Sequence, residues 1–218
     1  MRIAIAGAGK VGRSIAAELS SAGYEIVLID RDPKIQSLLI PGVQIVQADA
    51  CEIESLSDLS LGECQVVVAA TGDDKTNLVV SLLAKTEFGV PRVLARVNHP
   101  KNEWMFDESW GVDTAVSTPR MLAALVEEAV TVGDLVRLMT LRKGQADLVE
   151  FTLASDSKLA GQLVGSIHWP TDTSLVAILR DSRVITPRAD DPLEAGDELL
   201  FIAVPDQENA LLEVLRSN

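Results

Sequence analysis

Three glycines near the start of the chain are spaced as in a turn that binds phosphate. Residues 2–6 form a short apolar run that predicts a strand, and residues 11–22 carry apolar side chains at helical spacing. The turn between them would let the backbone approach a pyrophosphate, which the first amides of the helix could then bind. The residues of this turn are Gly7, Ala8, Gly9, Lys10, Val11 and Gly12.

An acidic residue follows at the distance expected for a contact with ribose. Asp30 ends the second predicted strand, residues 25–30, about twenty residues after Gly9. An acidic side chain there favours a free 2′-hydroxyl and disfavours NADP, although the neighbouring Arg31 weakens that inference. Because ATP and ADP also carry a ribose diol, the carboxylate does not separate NAD from adenine mononucleotides.

A short polar segment after the third predicted strand would reach the same crevice, because parallel sheets bind ligands at the carboxyl ends of their strands. The strand covers residues 43–47, and Asp49, Ala50 and Cys51 follow it closely. Asp49 could reach the edge of an adenine or could simply cap the next helix.

The fourth and fifth predicted strands also end in candidate binding residues. Thr71 and Gly72 follow the strand at residues 65–70 and could line the adenosine or the phosphates, or could cap the following helix. Arg96 lies near the end of the strand at residues 92–97. A guanidinium in an apolar strand needs an anionic partner, which could be a phosphate or an internal carboxylate.

Groups suited to catalysis are few. His99 and His168 have no visible nucleophile or base as a partner, and Tyr24, the one tyrosine, belongs to no Tyr-x-x-x-Lys pair. Asp73 and Asp74 predict a solvated helix start and not a metal site. We therefore expect neither an enzyme nor a bound metal.

Composition excludes several further classes. The 218 residues include 19 Lys and Arg against 32 Asp and Glu, a formal net charge of −13, which argues against a nucleic-acid-binding protein. Cys51 and Cys64 lie in no zinc-binding pattern, and a disulfide is not expected. The chain has no signal peptide and no apolar stretch long enough to span a membrane, so we expect a soluble protein.

Residues 1–117 are predicted to form one nucleotide-binding domain. Six short strands alternate with helices, which is typical of a parallel sheet covered on both faces. The fold class is therefore α/β, with a Rossmann-like doubly wound parallel sheet. The sixth strand is predicted at residues 114–117, and further helices are predicted from Asp32-Pro33 and at residues 53–59, 74–88 and 105–110.

Residues 118–144 are predicted to be a helical connector, followed by a small α+β domain over residues 145–218. The apolar face at residues 121–130 could be a dimer surface and hinge or a plain core helix, and a further helical segment is expected at residues 134–139. Asp181-Ser182 predicts a tight hairpin. In the last domain, strands are predicted at residues 148–153, 174–179, 183–186 and 198–204, and helices at residues 157–166 and 207–215.

Several segments together resemble RCK proteins, which join a TrkA-N domain to a TrkA-C domain. GAGKVG, the LID that ends at Asp30, ATGDDKTN (residues 70–77) and ARVNHPKNEWMF (residues 95–106) resemble the TrkA-N domain. The TrkA-C domain is matched by LAGQLVGSI (residues 159–167), LVAILRD (residues 175–181) and LEAGDELLFIA (residues 193–203). The resemblance covers nearly the whole chain in the order of the family's domains.

This resemblance implies a cytosolic regulatory subunit of a Trk/Ktr-type potassium uptake system, located on the inner face of the cell membrane. NAD(H) or ATP/ADP would bind in the Rossmann crevice. The expected partners are an integral-membrane potassium transporter subunit and a second copy of the chain or a homologous RCK chain, in dimers and rings. The alternatives are an NAD-dependent oxidoreductase and an RCK-like regulator of a different ion transporter.

The same resemblance assigns a role to each candidate residue. The glycine turn would hold phosphates, and Asp30 the ribose. Residues 49–51, Thr71 and Gly72 would line the adenosine side, and Arg96 would meet a phosphate. The family often has Gly-Asp-Ala-Thr at residues 48–51, so a thiol stands here in place of a hydroxyl. Nucleotides that fill the crevice differently would favour different ring shapes.

Overall fold

A computed structural model describes residues 1–130, 132–141 and 146–217 of the chain. The chain divides into two compact units, Met1–Pro119 and Arg120–Asn218. Each unit has hydrophobic clusters of its own, and each is described separately below.

The first unit contains a parallel sheet, which among the described residues has six strands in the order β3-β2-β1-β4-β5-β6. This order reverses direction between β1 and β4, as in a doubly wound sheet, and confirms the predicted Rossmann-like fold class. The strands are β1 (Arg2–Ala6), β2 (Glu25–Asp30), β3 (Val43–Gln47), β4 (Val66–Ala69), β5 (Arg92–Val97) and β6 (Thr114–Ser117).

Helices connect these strands close to the positions that the apolar periodicity predicts. They are α1 (Lys10–Ser21), α2 (Ile53–Asp58) and α3 (Asp74–Thr86), with 3₁₀ segments at Pro33–Ser37, Leu61–Glu63, Pro100–Met105 and Glu108–Trp110. The single helix predicted over residues 105–110 is wrong. Asp107 interrupts it, because its carboxylate accepts from the backbone N–H of Ser109 over 2.9 Å and starts a new 3₁₀ turn.

The two faces of the parallel sheet are covered unequally. Alternate side chains of β5 point to opposite faces, so Val93, Ala95 and Val97 pack in the core beneath α3, whereas Leu94 and Arg96 face the side of α1. On that second side, α1 packs over β1, and a groove lies open along β4, β5 and β6.

The second unit contains an antiparallel sheet, with the order β10-β9-β11-β8-β7 among the residues described. The helix α4 (Thr118–Val130) precedes it in the chain, and α5 (Glu208–Ser217) follows it. Its strands are β7 (Leu135–Leu141), β8 (Ala146–Thr152), β9 (Thr173–Arg180), β10 (Arg183–Ile185) and β11 (Glu198–Ala203).

Two predicted helices of the second half are wrong. Residues 135–139 belong to β7, and Asp134 precedes it. The segment pairs antiparallel with β8, and such pairing overrides a short apolar run that also fits helical spacing. Residues 157–166 form turns and one 3₁₀ turn, Val164–Ser166. Gly161 there has φ +87° and its N–H donates to Leu193 O over 2.7 Å, so the backbone pairs across the fold and not along a helix.

The predicted hairpin at Asp181-Ser182 is confirmed. Both residues have positive φ, 48° and 63°, as a two-residue turn between antiparallel strands requires. In the described part of the chain, no helix is both long and apolar enough to cross a bilayer.

Candidate functional site

A crevice of about 420 Å³ lies at the carboxyl ends of β1, β2, β3 and β4. This is the volume of a small-molecule site, and it lies where the strand order reverses. Its lining includes the predicted residues Gly7, Asp30, Arg31, Asp49, Ala50, Cys51, Thr71 and Gly72, together with Ile29, Ala48, Asp73 and Thr76.

Each glycine of the turn has a different geometric role. Gly7 has φ +107°, and a Cβ there would lie 2.8 Å from Thr71 Cα. A Cβ on Gly12 would lie 1.8 Å from the carbonyl oxygen of Gly7, so the close packing of α1 on the turn requires glycine. A Cβ on Gly9 would meet no atom within 4 Å. The turn is therefore tight on its inner side and open at Gly9.

Asp30 holds the glycine turn in place through the backbone. Its Oδ2 accepts from the N–H of Ala8 over 2.7 Å, and its Oδ1 accepts from the N–H of Asp32 over 3.0 Å. A carboxylate has about four acceptor positions, so both oxygens can still accept from a diol. Asp30 thus fixes the turn and also faces the crevice.

The N-terminus of α1 is available to an anion. Gly9 is its N-cap residue, and no side chain among the described residues caps this end. The first amides of a helix have no acceptor within it and carry a partial positive charge. Lys10 is exposed at the first position of the helix and adds a cation beside them.

The opposite side of the crevice is built from the segment after β3. Oδ1 of Asp49 accepts from the backbone N–H of Cys51 over 2.8 Å, so Asp49 orders the turn before α2. Burial raises the pKa of the Cys51 thiol, and the adjacent Asp49 carboxylate raises it further. The thiol therefore lines the crevice in its neutral form at neutral pH. Cys51 and Cys64 are both free.

Thr71 is held by a buried residue that the sequence analysis did not single out. Oδ1 of Asn77 accepts from Thr71 N over 2.9 Å and from Thr71 Oγ1 over 2.6 Å, and Asn77 is 0% exposed. Thr71 itself does not cap α3. Asp73 does, by accepting from Thr76 N over 2.8 Å, and this hydrogen bond lowers the pKa of the Asp73 carboxyl.

Asp74 is not solvated, in contrast to the prediction. It is buried, and it accepts from Asn98 N over 2.6 Å, from His99 N over 3.0 Å and from Asn102 Nδ2 over 2.7 Å. Burial opposes ionisation, but these hydrogen bonds outweigh it and lower the pKa of Asp74. Asp74 therefore joins α3 to the loop after β5, whereas Asp73 only caps α3. Within residues 1–130, 132–141 and 146–217, no cluster of three or more His, Cys, Asp or Glu could hold a metal ion.

Arg96 does not line the crevice, so its predicted contact with a phosphate there is not supported by its position. It lies instead in the groove on the α1 side of the sheet, a cavity of about 400 Å³. Its Nε is buried without a hydrogen-bond partner among the described residues. Apolar side chains line most of this groove: Ile3, Val11, Ile15, Leu19, Val66, Val68, Leu94 and Val116.

The motif residues of the second unit form a buried ion pair. Asp197 is 0% exposed and accepts from Arg180 Nε over 2.6 Å and from Arg180 Nη2 over 2.7 Å. Asp197 Oδ2 also accepts from the backbone N–H of Glu194 over 2.8 Å. Asp197, from the segment LEAGDELL, and Arg180, from LVAILRD, thus hold the turn before β11 against the end of β9.

Comparison with known proteins agrees with this architecture. Residues 3–118 match the TrkA-N domain family, and residues 148–216 match the TrkA-C domain family. The chain is 57% identical over 216 residues to "Trk system potassium uptake protein TrkA" of Mycobacterium tuberculosis, which covers 99% of this chain and 98% of that protein. A "Trk system potassium uptake protein TrkA homolog" of Methanothermobacter thermautotrophicus is 30% identical, over 94% of this chain and 95% of its own length.

Solved structures share the fold. The "GsuK channel bound to NAD" aligns with a TM-score of 0.66 at 19% identity, over 100% of this chain and 39% of that one. "Shewanella denitrificans Kef CTD in AMP bound form" aligns with a TM-score of 0.53 at 21% identity, over 60% of this chain and 80% of that one. With both domain matches in order and a full-length relative at 57% identity, the chain belongs to the family of TrkA proteins, built from a TrkA-N and a TrkA-C domain.

Proposed function

We propose that this protein is a regulatory subunit of a Trk/Ktr-type potassium uptake transporter and that it binds NAD(H) or ATP/ADP in the crevice of its first unit. The observation that carries the proposal is the crevice itself. It combines an open glycine turn at a helix N-terminus with a carboxylate that faces it from the end of β2.

The residues present fit an adenine nucleotide. A phosphate would bind over Gly9, where nothing within 4 Å would oppose it, and would accept from the first amides of α1. Asp30 would accept from the ribose diol. Asp49, Ala50 and Cys51 would line one side of the adenosine, and Thr71 and Gly72 the other.

The relatives support the transport role. The full-length relative at 57% identity is named as a potassium uptake protein of the Trk system. Solved structures of the same fold are described with NAD and with AMP. We extend the role to this chain, and with it a location on the cytoplasmic face of the membrane, beside an integral-membrane transporter subunit. A regulator of another ion transporter would have the same fold, and co-purification with a non-potassium carrier would favour that alternative.

We also propose that the protein is not an enzyme. An oxidoreductase would need a group such as histidine, lysine or tyrosine to exchange a proton beside the nicotinamide. The titratable groups that line the crevice are three aspartates, Arg31 and one thiol. Oxidation of NADH with small carbonyl compounds at enzyme-like rates would contradict this part of the proposal.

Two apolar surfaces support self-association. The groove beside α1 is open in the first unit, and α4 exposes a row of apolar side chains: Met121, Leu122, Leu125, Val126 and Val130. Monomeric proteins rarely expose such a row without a partner. We propose that α4 of a second copy, or of a homologous chain, docks in the groove, with Glu127 available to pair with Arg96. Dimers of this kind would assemble into rings.

Regulation would then follow from differential binding. A nucleotide shifts the balance between two ring shapes only by the difference in its affinity for them. NAD, NADH, ADP and ATP differ in size and charge beyond the adenosine, so they would fill the crevice differently and favour different shapes.

Thermal unfolding of the full chain with each nucleotide tests the proposal. A ligand at about 100 times its Kd should stabilise the protein by about 2.7 kcal/mol, a rise in Tm of roughly 5–10 °C. Gly9→Asp should abolish the rise, because its carboxylate would occupy the open position above the turn. Ser14→Asp adds the same charge on an exposed part of α1 and should keep the rise. If none of the four nucleotides stabilises the parent, the nucleotide assignment fails.

A further inference from the structure

The crevice and the groove meet at the end of β4. Thr71 and Gly72 line the crevice, and Ala70, the residue before them, lines the groove. The groove also contains Arg96, at the end of the neighbouring strand β5. The backbone at the ends of β4 and β5 therefore separates the crevice from the groove.

Two side chains connect those strand ends: Asn98, directly after β5, donates from Nδ2 to Thr71 O over 3.0 Å, and Asn77 reaches Arg96 itself. Asn77, in the first turn of α3, accepts from Thr71 N and Oγ1 through Oδ1, as described above. Its Nδ2 donates to the carbonyl oxygen of Arg96 over 2.8 Å. Nδ2 also donates to the carbonyl oxygen of Thr71 over 3.3 Å. Asn77 has no exposed surface, so its amide group is engaged by Thr71 and Arg96.

The chemistry of the amide suits a connection of this kind. Donor and acceptor lie at fixed positions on one planar group, so a shift of Thr71 changes the orientation that the amide offers to Arg96. Buried hydrogen bonds of this kind are costly to break, because neither group can turn to water instead. The amide thus gives a movement at one strand end a direct hydrogen-bonded route to the other.

We propose that Asn77 is a positioning residue that couples the nucleotide crevice to the docking groove, by linking the backbone of Thr71 to the backbone that carries Arg96. The inference rests on the proposed function, because it assumes a nucleotide at Thr71 and a second copy at Arg96. Nucleotide bound against Thr71 fixes the Asn77 amide, and the amide fixes the end of β5, from which the Arg96 guanidinium extends toward the docked helix.

Coupling of this kind is reciprocal and measurable. The factor by which a nucleotide changes the Kd of the dimer must equal the factor by which dimerisation changes the Kd of the nucleotide. Sedimentation equilibrium of the full chain, without ligand and with saturating NADH or ADP, gives this factor. We expect about tenfold for at least one of the two in the parent protein, which is within the usual range for coupled sites.

Two variants at position 77 test the oxygen and the nitrogen of the amide. Asn77→Ala removes both atoms, so nucleotide should change the dimer Kd by less than about twofold, while the dimer Kd and the nucleotide Kd can each still be measured. As a carboxylate, Asn77→Asp keeps the acceptor for Thr71 N and Oγ1 and loses the donor to Arg96 O, together with the longer one to Thr71 O. It should therefore retain nucleotide binding and lose the coupling. Ser81→Ala is the matched control, because Ser81 is equally buried one turn further along α3 and its Oγ donates only within the helix, to Asn77 O over 2.7 Å.

The outcomes are distinguishable. If the parent binds no nucleotide or forms no dimer, the proposed function fails. If the parent binds nucleotide and dimerises but its dimer Kd does not change with nucleotide, the inference is overturned and the proposed function stands. The same holds if the change of about tenfold persists in both folded Asn77 variants. Should Asn77→Ala not melt cooperatively, Asn77→Asp decides alone. Loss of coupling in Ser81→Ala as well would reduce the role of Asn77 to general support of α3 and would also overturn the inference.

Discussion

The backbone N–H of Ala8 donates to Oδ2 of Asp30 over 2.7 Å. This hydrogen bond joins the glycine turn after β1 to the end of β2, the two strand ends between which the crevice opens. Gly7 N also donates to Ile29 O over 2.7 Å, so the turn is attached to β2 at two consecutive residues. The carboxylate that faces a ribose is thus also part of the frame that holds the phosphate-binding turn.

Replacement of Asp30 should therefore affect binding more than stability. Asp30→Asn presents an N–H₂ group or a weaker acceptor to Ala8 and to the ribose, and we expect nucleotide affinity to fall at least tenfold, about 1.4 kcal/mol, with about 1 kcal/mol lost from the free energy of unfolding. Isothermal titration and urea unfolding measure the two. Asp32→Asn is the control, since Asp32 also accepts a backbone N–H, from Lys34, and lies outside the crevice. Equal losses of affinity in both variants would contradict the assignment of Asp30.

Alanine should cost much stability at Gly12 and little at Gly9. Gly12→Ala forces a Cβ to within 1.8 Å of Gly7 O, which only a shift of α1 could relieve, and should cost about 3 kcal/mol or more of stability. Gly9→Ala enters open space and should change stability by less than about 1 kcal/mol. Urea unfolding of both variants compares them directly. A stable Gly12→Ala variant would show that α1 does not pack on the turn as described.

The buried carboxylate of Asp74 should make stability depend on pH. Its pKa is lowered in the folded protein, so its contribution is present above the ordinary value near 3.8 and is lost as the pH falls through the lowered value. Asp74→Asn should lose about 2–3 kcal/mol at pH 7, and the gap to the parent should narrow as the pH falls below about 4. Urea unfolding at a series of pH values tests this. A gap that does not change with pH would mean that the charge of Asp74 contributes nothing.

Self-association should depend on the apolar row of α4. Leu125 is 54% exposed, and Leu125→Asp places a charge that would have to be desolvated on docking, so we expect the dimer Kd to rise at least a hundredfold, about 2.7 kcal/mol. Leu39→Asp serves as the control, because Leu39 is 95% exposed on the first unit and lies away from the groove. Sedimentation velocity distinguishes monomer from dimer. If Leu125→Asp associates like the parent, the docking surface lies elsewhere.

Loss of Arg180 should destabilise the second unit. Arg180→Leu would leave the fully buried carboxylate of Asp197 without its bidentate partner, and removal of one member of a buried pair typically costs 3–5 kcal/mol. Arg183→Leu, an exposed arginine three residues away, should cost less than about 0.5 kcal/mol. Unfolding monitored by hydrogen exchange in β9 and β11 reports on this unit specifically. Similar losses for both arginines would contradict the role of the ion pair.

Local patterns were sufficient to predict the six strands of the first unit, because they are short apolar runs and each is followed by a turn or a helix cap. They were insufficient at residues 134–139, where the apolar residues fit helical spacing and only the pairing with β8 makes them a strand. The arrangement of the second unit depends on such distant pairings, such as Gly161 with Leu193, and spacing along the chain does not report them.

The lining of the crevice was predictable where the end of a strand decides which cavity a residue faces, as for Asp30 and Thr71. Arg96, predicted in the crevice, lines the groove instead, because side chains alternate along β5 and Arg96 points away from the buried side of Val97. Asn77 was missed, although a signal exists: it lies on the same helical face as Val80, Ser81 and Ala84, all of them buried. An uncharged polar residue on an apolar face suggests a buried hydrogen-bonding role.

Separate hydrophobic clusters in the two units have a consequence for how such proteins can diversify. Among the described residues, the first unit builds two of these clusters and the second unit builds the third, with none shared. A substitution that reshapes the crevice for another nucleotide therefore replaces no residue of the second unit's own core. Nucleotide choice can change in this way while the core of the later domain is inherited unaltered.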